Sequence, residues 1–157
     1  MKLLFKQRLF SWFSSYDIYD EAENTVYVVK GELAWGHRLK VFDADGLELG
    51  VVQEKIFTWL PKFEIYEREH YIGCISKEFS FLTPRYNIDF NDWQVKGDFM
   101  EWDYSITNAS GQLIATVSKE FFHMTDTYVL DIENPAAALH VLMFVLAIDA
   151  EKSSRRR

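Results

Sequence analysis

The chain is poor in the residues that interrupt or staple a fold. Among 157 residues there are seven glycines, three prolines and one cysteine. A single cysteine excludes an intramolecular disulfide, so packing alone must hold the fold together. Cys74 stands in an alternating apolar run with Ile72, and Ile75 is beside it. It reads as a small sheet or core residue rather than as an activated thiolate. Positive charge is also scarce. There are 17 Lys and Arg against 24 Asp and Glu, a net charge of −7. Three of the positive charges are Arg155, Arg156 and Arg157; residues 1–152 hold 14 positive and 24 negative side chains, a net of −10. That field repels a phosphate backbone, and nucleic acid is not an expected partner.

Long hydrophobic runs are missing too. Met1–Phe13 is interrupted by Lys2, Lys6, Gln7 and Arg8, which leaves no room for the apolar stretch of a signal peptide. The most apolar segment, 136–148, is thirteen residues, short of the ~20 that a membrane span needs. No integral membrane insertion is expected, and with the lone cysteine the expected location is cytoplasmic. The motifs of chemistry are absent as well: no nucleophile elbow, P-loop, dinucleotide fingerprint or H-E-x-x-H occurs. His37, His70, His123 and His140 are scattered and never at ligand spacing. Asp43-x-Asp45-Gly46 with Glu48 is too short and too poor in ligands for a calcium loop and reads as a hairpin turn. The sequence therefore predicts no enzyme, no cofactor, and neither catalytic nor metal-binding residues.

What is abundant is aromatic. Trp, Tyr and Phe number 26 of a composition that is 48% apolar, which suits one globular domain rich in strands. Hydrophobicity alternates with period 2 in about twelve runs, at roughly 2–6, 16–20, 25–31, 38–42, 48–56, 62–67, 70–78, 85–90, 93–100, 102–107, 112–121 and 126–132. Asp43-Ala44-Asp45-Gly46 and Asn108-Ala109-Ser110-Gly111 carry hairpin chemistry, with Gly supplying the positive φ. The runs repeat. Gly50-Val51-Val52 and Pro61-Lys62-Phe63-Glu64-Ile65 recur 23 positions on as Gly73-Cys74-Ile75 and Pro84-Arg85-Tyr86-Asn87-Ile88. Val29-Lys30-Gly31 and Val41–Gly46 recur as Val95-Lys96-Gly97 and Ile106–Gly111. Two diverged copies of a meander, side by side in one quasi-symmetric sheet, are expected.

The last segment departs from the pattern. Asn134 is an N-cap and Pro135 an N1 residue, and from Ala136 to Ala150 only His140 and Asp149 are not apolar. A helix apolar on every face is a buried helix. About eight strands make a barrel that its own side chains fill, whereas twelve leave a void that a strand-length helix can occupy. The predicted fold is mainly β: a closed, roughly twelve-stranded antiparallel barrel enclosing the C-terminal hydrophobic helix, one domain over 1–152 with a basic disordered tail at 153–157. Trp12, Trp35, Trp59, Trp93 and Trp102 are expected in the barrel wall; the alternative is an aromatic binding surface. His140 is expected as a neutral, hydrogen-bonded imidazole inside the barrel; the sharper alternative is a polar handle in an internal ligand cavity. Lys2, Lys6 and Arg8, with the arginine tail, are the only candidates for a basic contact surface.

Tyr19-Asp20, Val29-Lys30-Gly31, Leu39-Lys40-Val41-Phe42-Asp43-Ala44-Asp45-Gly46, Lys55-Ile56 and Pro61-Lys62-Phe63-Glu64-Ile65-Tyr66 resemble the LURP-one-related proteins, of the tubby C-terminal-like superfamily to which phospholipid scramblases are related. The resemblance spans essentially the whole chain, and the short length looks like the bacterial branch. It implies the same twelve-stranded barrel around a central helix. It carries no catalytic motif. For ligands it implies a lipid or phosphoinositide head group, which tubby proteins hold with basic side chains; this acidic chain departs from them there. The expectation is a non-catalytic binding or scaffold module with a lipid head group or an unknown protein as partner, touched through Lys2, Lys6, Arg8 and His140. The alternative is a structural or stress-related protein with no small-molecule ligand. The sequence leaves the oligomeric state open.

Overall fold

The computed structural model describes residues 1–6, 15–79, 85–99, 101–122 and 125–155. Its strands are β1 (Lys2–Lys6), β2 (Ser15–Tyr19), β3 (Thr25–Ala34), β4 (Gly36–Asp43), β5 (Glu48–Lys55), β6 (Lys62–Glu67), β7 (His70–Glu78), β8 (Arg85–Ile88), β9 (Gln94–Asp98), β10 (Asp103–Thr107), β11 (Leu113–Phe122) and β12 (Thr125–Ile132). A 3₁₀ turn (Pro135–Ala137) leads into α1 (Ala138–Arg155). The twelve alternating runs and the terminal helix are all present. The strands form one antiparallel sheet in the order β8-β7-β6-β5-β4-β3-β2-β1-β12-β11-β10-β9. First and last strands meet directly, from Lys2 opposite Asp131 to Lys6 opposite Thr127.

The barrel is nearly closed rather than closed. β8 and β9 are the two ends of the strand order, and among the described residues no ladder joins them. They are among the shortest strands, four and five residues. Side chains span the seam instead: the rings of Tyr86 and Phe99 meet edge-to-face with centroids 5.0 Å apart.

Alternation decides what faces inward. Val29, Leu39, Val41, Val52, Phe63 and Ile65 are buried while their strand neighbours face outward. The helix fills the interior, and every residue from Val141 to Ile148 is buried. Asn134 caps it, its side chain accepting from the N–H of Ala136 at 3.0 Å, with Pro135 at N1. Eighteen residues give α1 a length of about 27 Å, comparable to the ~26 Å of an eight-residue strand. The helix runs on through 153–155, the first three residues of the stretch expected as a basic tail. It contains neither Gly nor Pro to stop it, and Glu151 and Lys152 are still buried. Arg156 and Arg157 lie outside the described residues.

The internal repeat is real in structure but differently arranged. The Asp43–Leu47 and Asn108–Gln112 turns match atom for atom. In each, the first side chain accepts from two backbone N–H groups, those of Asp45 and Leu47 at 2.9 and 2.8 Å, and of Ser110 and Gln112 at 3.1 and 2.9 Å. Gly46 and Gly111 hold φ of 89° and 85°. Yet β3–β4 and β9–β10 lie six places apart in a twelve-strand order, so the copies face each other across the barrel. The N-terminal pair β1–β2 enters the ring between them.

Candidate functional site

An antiparallel meander sorts its connections between two ends. Those after even-numbered strands lie at the end where α1 begins; those after odd-numbered strands lie at the end where it finishes. Side-chain contacts confirm the helix direction. At the first end His140 meets Glu67, the last residue of β6. At the second, Glu151 meets Lys77 near the end of β7 and Tyr86 near the start of β8.

The second end carries the candidate site. Trp35 is the tip of the β3–β4 hairpin, and Ile56 to Pro61 link β5 to β6. Gly36 (φ 91°) makes this junction possible, since a Cβ there would lie 2.6 Å from Ile56 Cγ2 and 2.8 Å from the Glu54 carbonyl oxygen. Thr58 folds the longer connection by donating to the carbonyls of Lys55 (3.1 Å) and Leu60 (2.8 Å). Below these tips lies a groove of about 560 Å³ on the outer wall of β4, β5 and β6. Arg38, Gln53 and Glu64 form a cross-strand row along it, in register on three strands. Trp35 and Phe57 supply an apolar rim, and Lys55 and Tyr66 complete the polar wall.

Hydrogen bonding fixes most of these groups. Gln53 accepts from Arg38 Nε at 2.6 Å and donates to the Glu54 carbonyl at 3.0 Å. Glu64 accepts from the Tyr66 hydroxyl and pairs with Lys55 Nζ at 3.3 Å. The Tyr66 hydrogen bond, aided by Lys55, holds the Glu64 carboxyl below its ordinary value. The same bond pushes the Tyr66 phenol up to about 12. Glu54 pairs with the His37 Nδ1 and accepts from the His37 backbone N–H at 3.0 Å. Arg38 is different: among the described residues it makes no carboxylate pair, and its one hydrogen bond uses Nε. Its terminal guanidinium nitrogens remain available in a groove whose acids are already engaged.

The residues expected from sequence are elsewhere. Lys2 is exposed on β1 opposite Asp131, and Lys6 lies at the other end of that strand opposite Thr127. Arg8 lies outside the described residues. His140 is not inside the barrel. It sits one turn into α1 at the barrel mouth, partly exposed, with Nδ1 2.8 Å from Asn91 Nδ2 and Nε2 2.8 Å from Glu67 Oε2. These partners select the tautomer in which Nε2–H donates to the carboxylate and Nδ1 accepts from the amide. Its rings of contact, Phe90 and Trp93, close the mouth. Two helix positions put it there: the 3₁₀ turn occupies 135–137, so His140 is still at the rim when the apolar run begins.

The tryptophans divide. Trp93 and Trp102 are buried, but Trp35 and Trp59 are almost wholly exposed. All four sit in connections, where strand alternation does not direct a side chain; Trp93 folds back against Phe90 and Trp102 against Tyr128 and the Lys152 ammonium. Trp12 lies outside the described residues. Cys74 is buried, and burial pushes its thiol up, as a sheet residue's would be. No group of three or more His, Cys, Asp or Glu able to hold a metal occurs among the described residues, and no described helix is long and apolar enough to cross a membrane.

A nearly closed twelve-stranded antiparallel barrel around one C-terminal helix is the tubby-like architecture. The model of the LURP-one-related family matches residues 1–149, and the chain belongs to that family. It is 25% identical over 150 residues to the uncharacterized protein YxjI of Bacillus subtilis (strain 168), covering 95% of this chain and 92% of that one. The X-ray structure of an Arabidopsis thaliana protein shares the fold with a TM-score of 0.61 at 12% identity, over 94% of this chain and 90% of that chain.

Proposed function

We propose that the protein is a non-catalytic binding module whose ligand site is the groove over β4, β5 and β6. The ligand is an anionic lipid head group, of the kind that tubby proteins hold as phosphoinositide, with its apolar part against Trp35 and Phe57. The carrying observation is Arg38, a guanidinium with no carboxylate partner among the described residues in a groove where Glu54 and Glu64 are engaged. A guanidinium fork matches phosphate oxygens, and a charge-assisted bond of this kind contributes roughly 1.5–3 kcal/mol. The single buried cysteine suits action in the cytoplasm. Calorimetric titration with short-chain phosphoinositides and phosphatidylserine tests this reading. Saturable one-to-one binding that weakens about tenfold or more in Arg38→Ala is expected. Heat absent across the panel would leave a scaffold without a small-molecule ligand; binding indifferent to Arg38 would move the site.

A further inference from the structure

The exposed aromatics extend beyond the groove. Trp35, Phe57, Trp59 and Phe79 are 83, 91, 96 and 70% exposed, and they come from three connections after odd-numbered strands, at one end of the barrel. Neither Trp59 nor Phe79 lines the groove. The described connections at this end hold one charged residue outside the helix, Glu101. Those at the opposite end hold eight acids, Asp20, Glu21, Glu23, Asp45, Glu69, Asp89, Asp92 and Glu133, against one base, Arg68. The molecule has an axis, apolar at the tip and acidic at the base, with α1 running from base to tip.

The geometry points to end-on docking of this barrel into the interfacial layer of a lipid bilayer, with Trp35, Phe57, Trp59 and Phe79 among the head groups and the acidic end in water. Three features favour a bilayer over a protein partner. Protein hot spots sit in well-packed pockets with a polar rim, whereas these rings stand off the body with most of their surface bare. A fluid interface makes room for protrusions of any shape, and it is where Trp and other amphipathic rings concentrate. The described tip connections hold one charged residue, Glu101, so inserting the aromatic ones desolvates little besides hydrocarbon. The net charge of −7 does not oppose this arrangement. In end-on docking the acidic connections stand off by about a strand length, ~26 Å, several times the ~8 Å screening length at physiological salt. This goes beyond the groove reading, since a groove can bind a free head group without any membrane.

The full-length protein with phosphatidylcholine vesicles tests the docking. The protein is expected to co-sediment with them, its tryptophan emission to move to the blue, and lipids brominated near the head of the acyl chain to quench it. Trp59→Ser with Phe79→Ser is expected to weaken partitioning about tenfold or more with the far-ultraviolet circular dichroism of the native fold. Glu21→Gln with Glu23→Gln, at the far end, is expected to leave partitioning unchanged. The docking is overturned by no association with these vesicles, by a double aromatic variant that partitions like the native chain, or by aromatic-dependent dimers in light scattering with no vesicle binding; the last assigns the tip to a second copy. If Arg38→Ala abolishes vesicle association while the aromatic variant keeps it, head-group capture in the groove survives and end-on docking fails.

Discussion

The two ends of the barrel solve the same problem, reversing a chain, in opposite ways. At the end where α1 begins, the turns satisfy themselves. Asp20, Asp43 and Asn108 each take two backbone N–H groups with one side-chain oxygen, and Asn134 caps the helix. Each turn is closed across its ends by the first residue's N–H, as from Asp43 to the Leu47 carbonyl at 2.9 Å and from Asn108 to the Gln112 carbonyl at 2.9 Å. At the end where α1 finishes, the connections are apolar and several of their largest side chains face solvent. Local turn chemistry serves stability at one end. At the other, stability comes from the buried helix below, which leaves the connections free to carry rings that stability does not need.

The comparison breaks altogether if the helix is not the common support. Leu142→Asp places an unpaired charge in the centre of the barrel, where Leu142 is fully buried. A loss of about 4–5 kcal/mol or more is expected, close to the whole stability of an ordinary domain at ~5–15 kcal/mol. Urea titration should show an unfolded or molten chain at both ends together. Survival of a cooperative native transition would show that the wall stands without its filler.

Ion pairs at the two ends sharpen the contrast. The Glu151 carboxylate is buried, bound to Lys77 Nζ at 3.2 Å and the Tyr86 hydroxyl at 2.7 Å. Lys77→Met strips one partner from a buried acid and should cost about 3 kcal/mol. His140→Ala at the other mouth removes a partly exposed pair with Glu67 and should cost about 1 kcal/mol or less beyond its packing. Equal losses would contradict the burial difference.

The ends should also respond to acid with opposite signs. Burial raises the Glu151 carboxyl, so protonation favours the fold. Its stabilisation is full below the unfolded-state value, and it is lost as pH rises through the folded one. The N–H bond from Asn24, with that from Ala22, lowers the Asp20 carboxyl, so its contribution is present above the unfolded-state value and is lost as pH falls through the folded one. Urea midpoints should therefore fall more steeply between pH 7 and 4 for Glu151→Gln than for the native chain, and less steeply below about pH 4 for Asp20→Asn. The same sign in both variants would refute the assignment.

Smaller effects follow. Gly46→Ala, at φ 89° with open space around its Cβ, should cost about 1 kcal/mol through backbone strain alone. Phe57→Ser should leave stability within about 0.5 kcal/mol while weakening binding at the tip.

Much of this was legible in the sequence. Strand alternation located all twelve strands, because one face of each is buried on α1 and period 2 records that directly. Asn134-Pro135 marked the helix start, and the all-round apolar pattern of 138–148 marked its burial. The site was not legible, for a reason that lies in the residues. Trp35, Phe57 and Trp59 have the composition of core, and nothing in the sequence separates them from Phe99 and Trp102, which lie in a connection of the same parity and are buried. Arg38, Gln53 and Glu64 are far apart in sequence and meet only through strand register. Glu151 and Lys152 resemble a solvated helix end until the helix is threaded through the barrel to Lys77 and Trp102, over whose ring the Lys152 ammonium lies at 4.4 Å. Parity of connections gathers these residues at one end, but only the three-dimensional packing tells which of them face out.

Binding through the end where α1 finishes can be read from the indole N–H resonances of the tryptophans in one titration, because Trp35 and Trp59 mark that end and Trp93 marks the other. On adding phosphatidylcholine bicelles containing phosphoinositide, the Trp35 and Trp59 signals are expected to shift or broaden while Trp93 stays in place. Movement of Trp93 with Trp35 and Trp59 unmoved would contradict binding through that end.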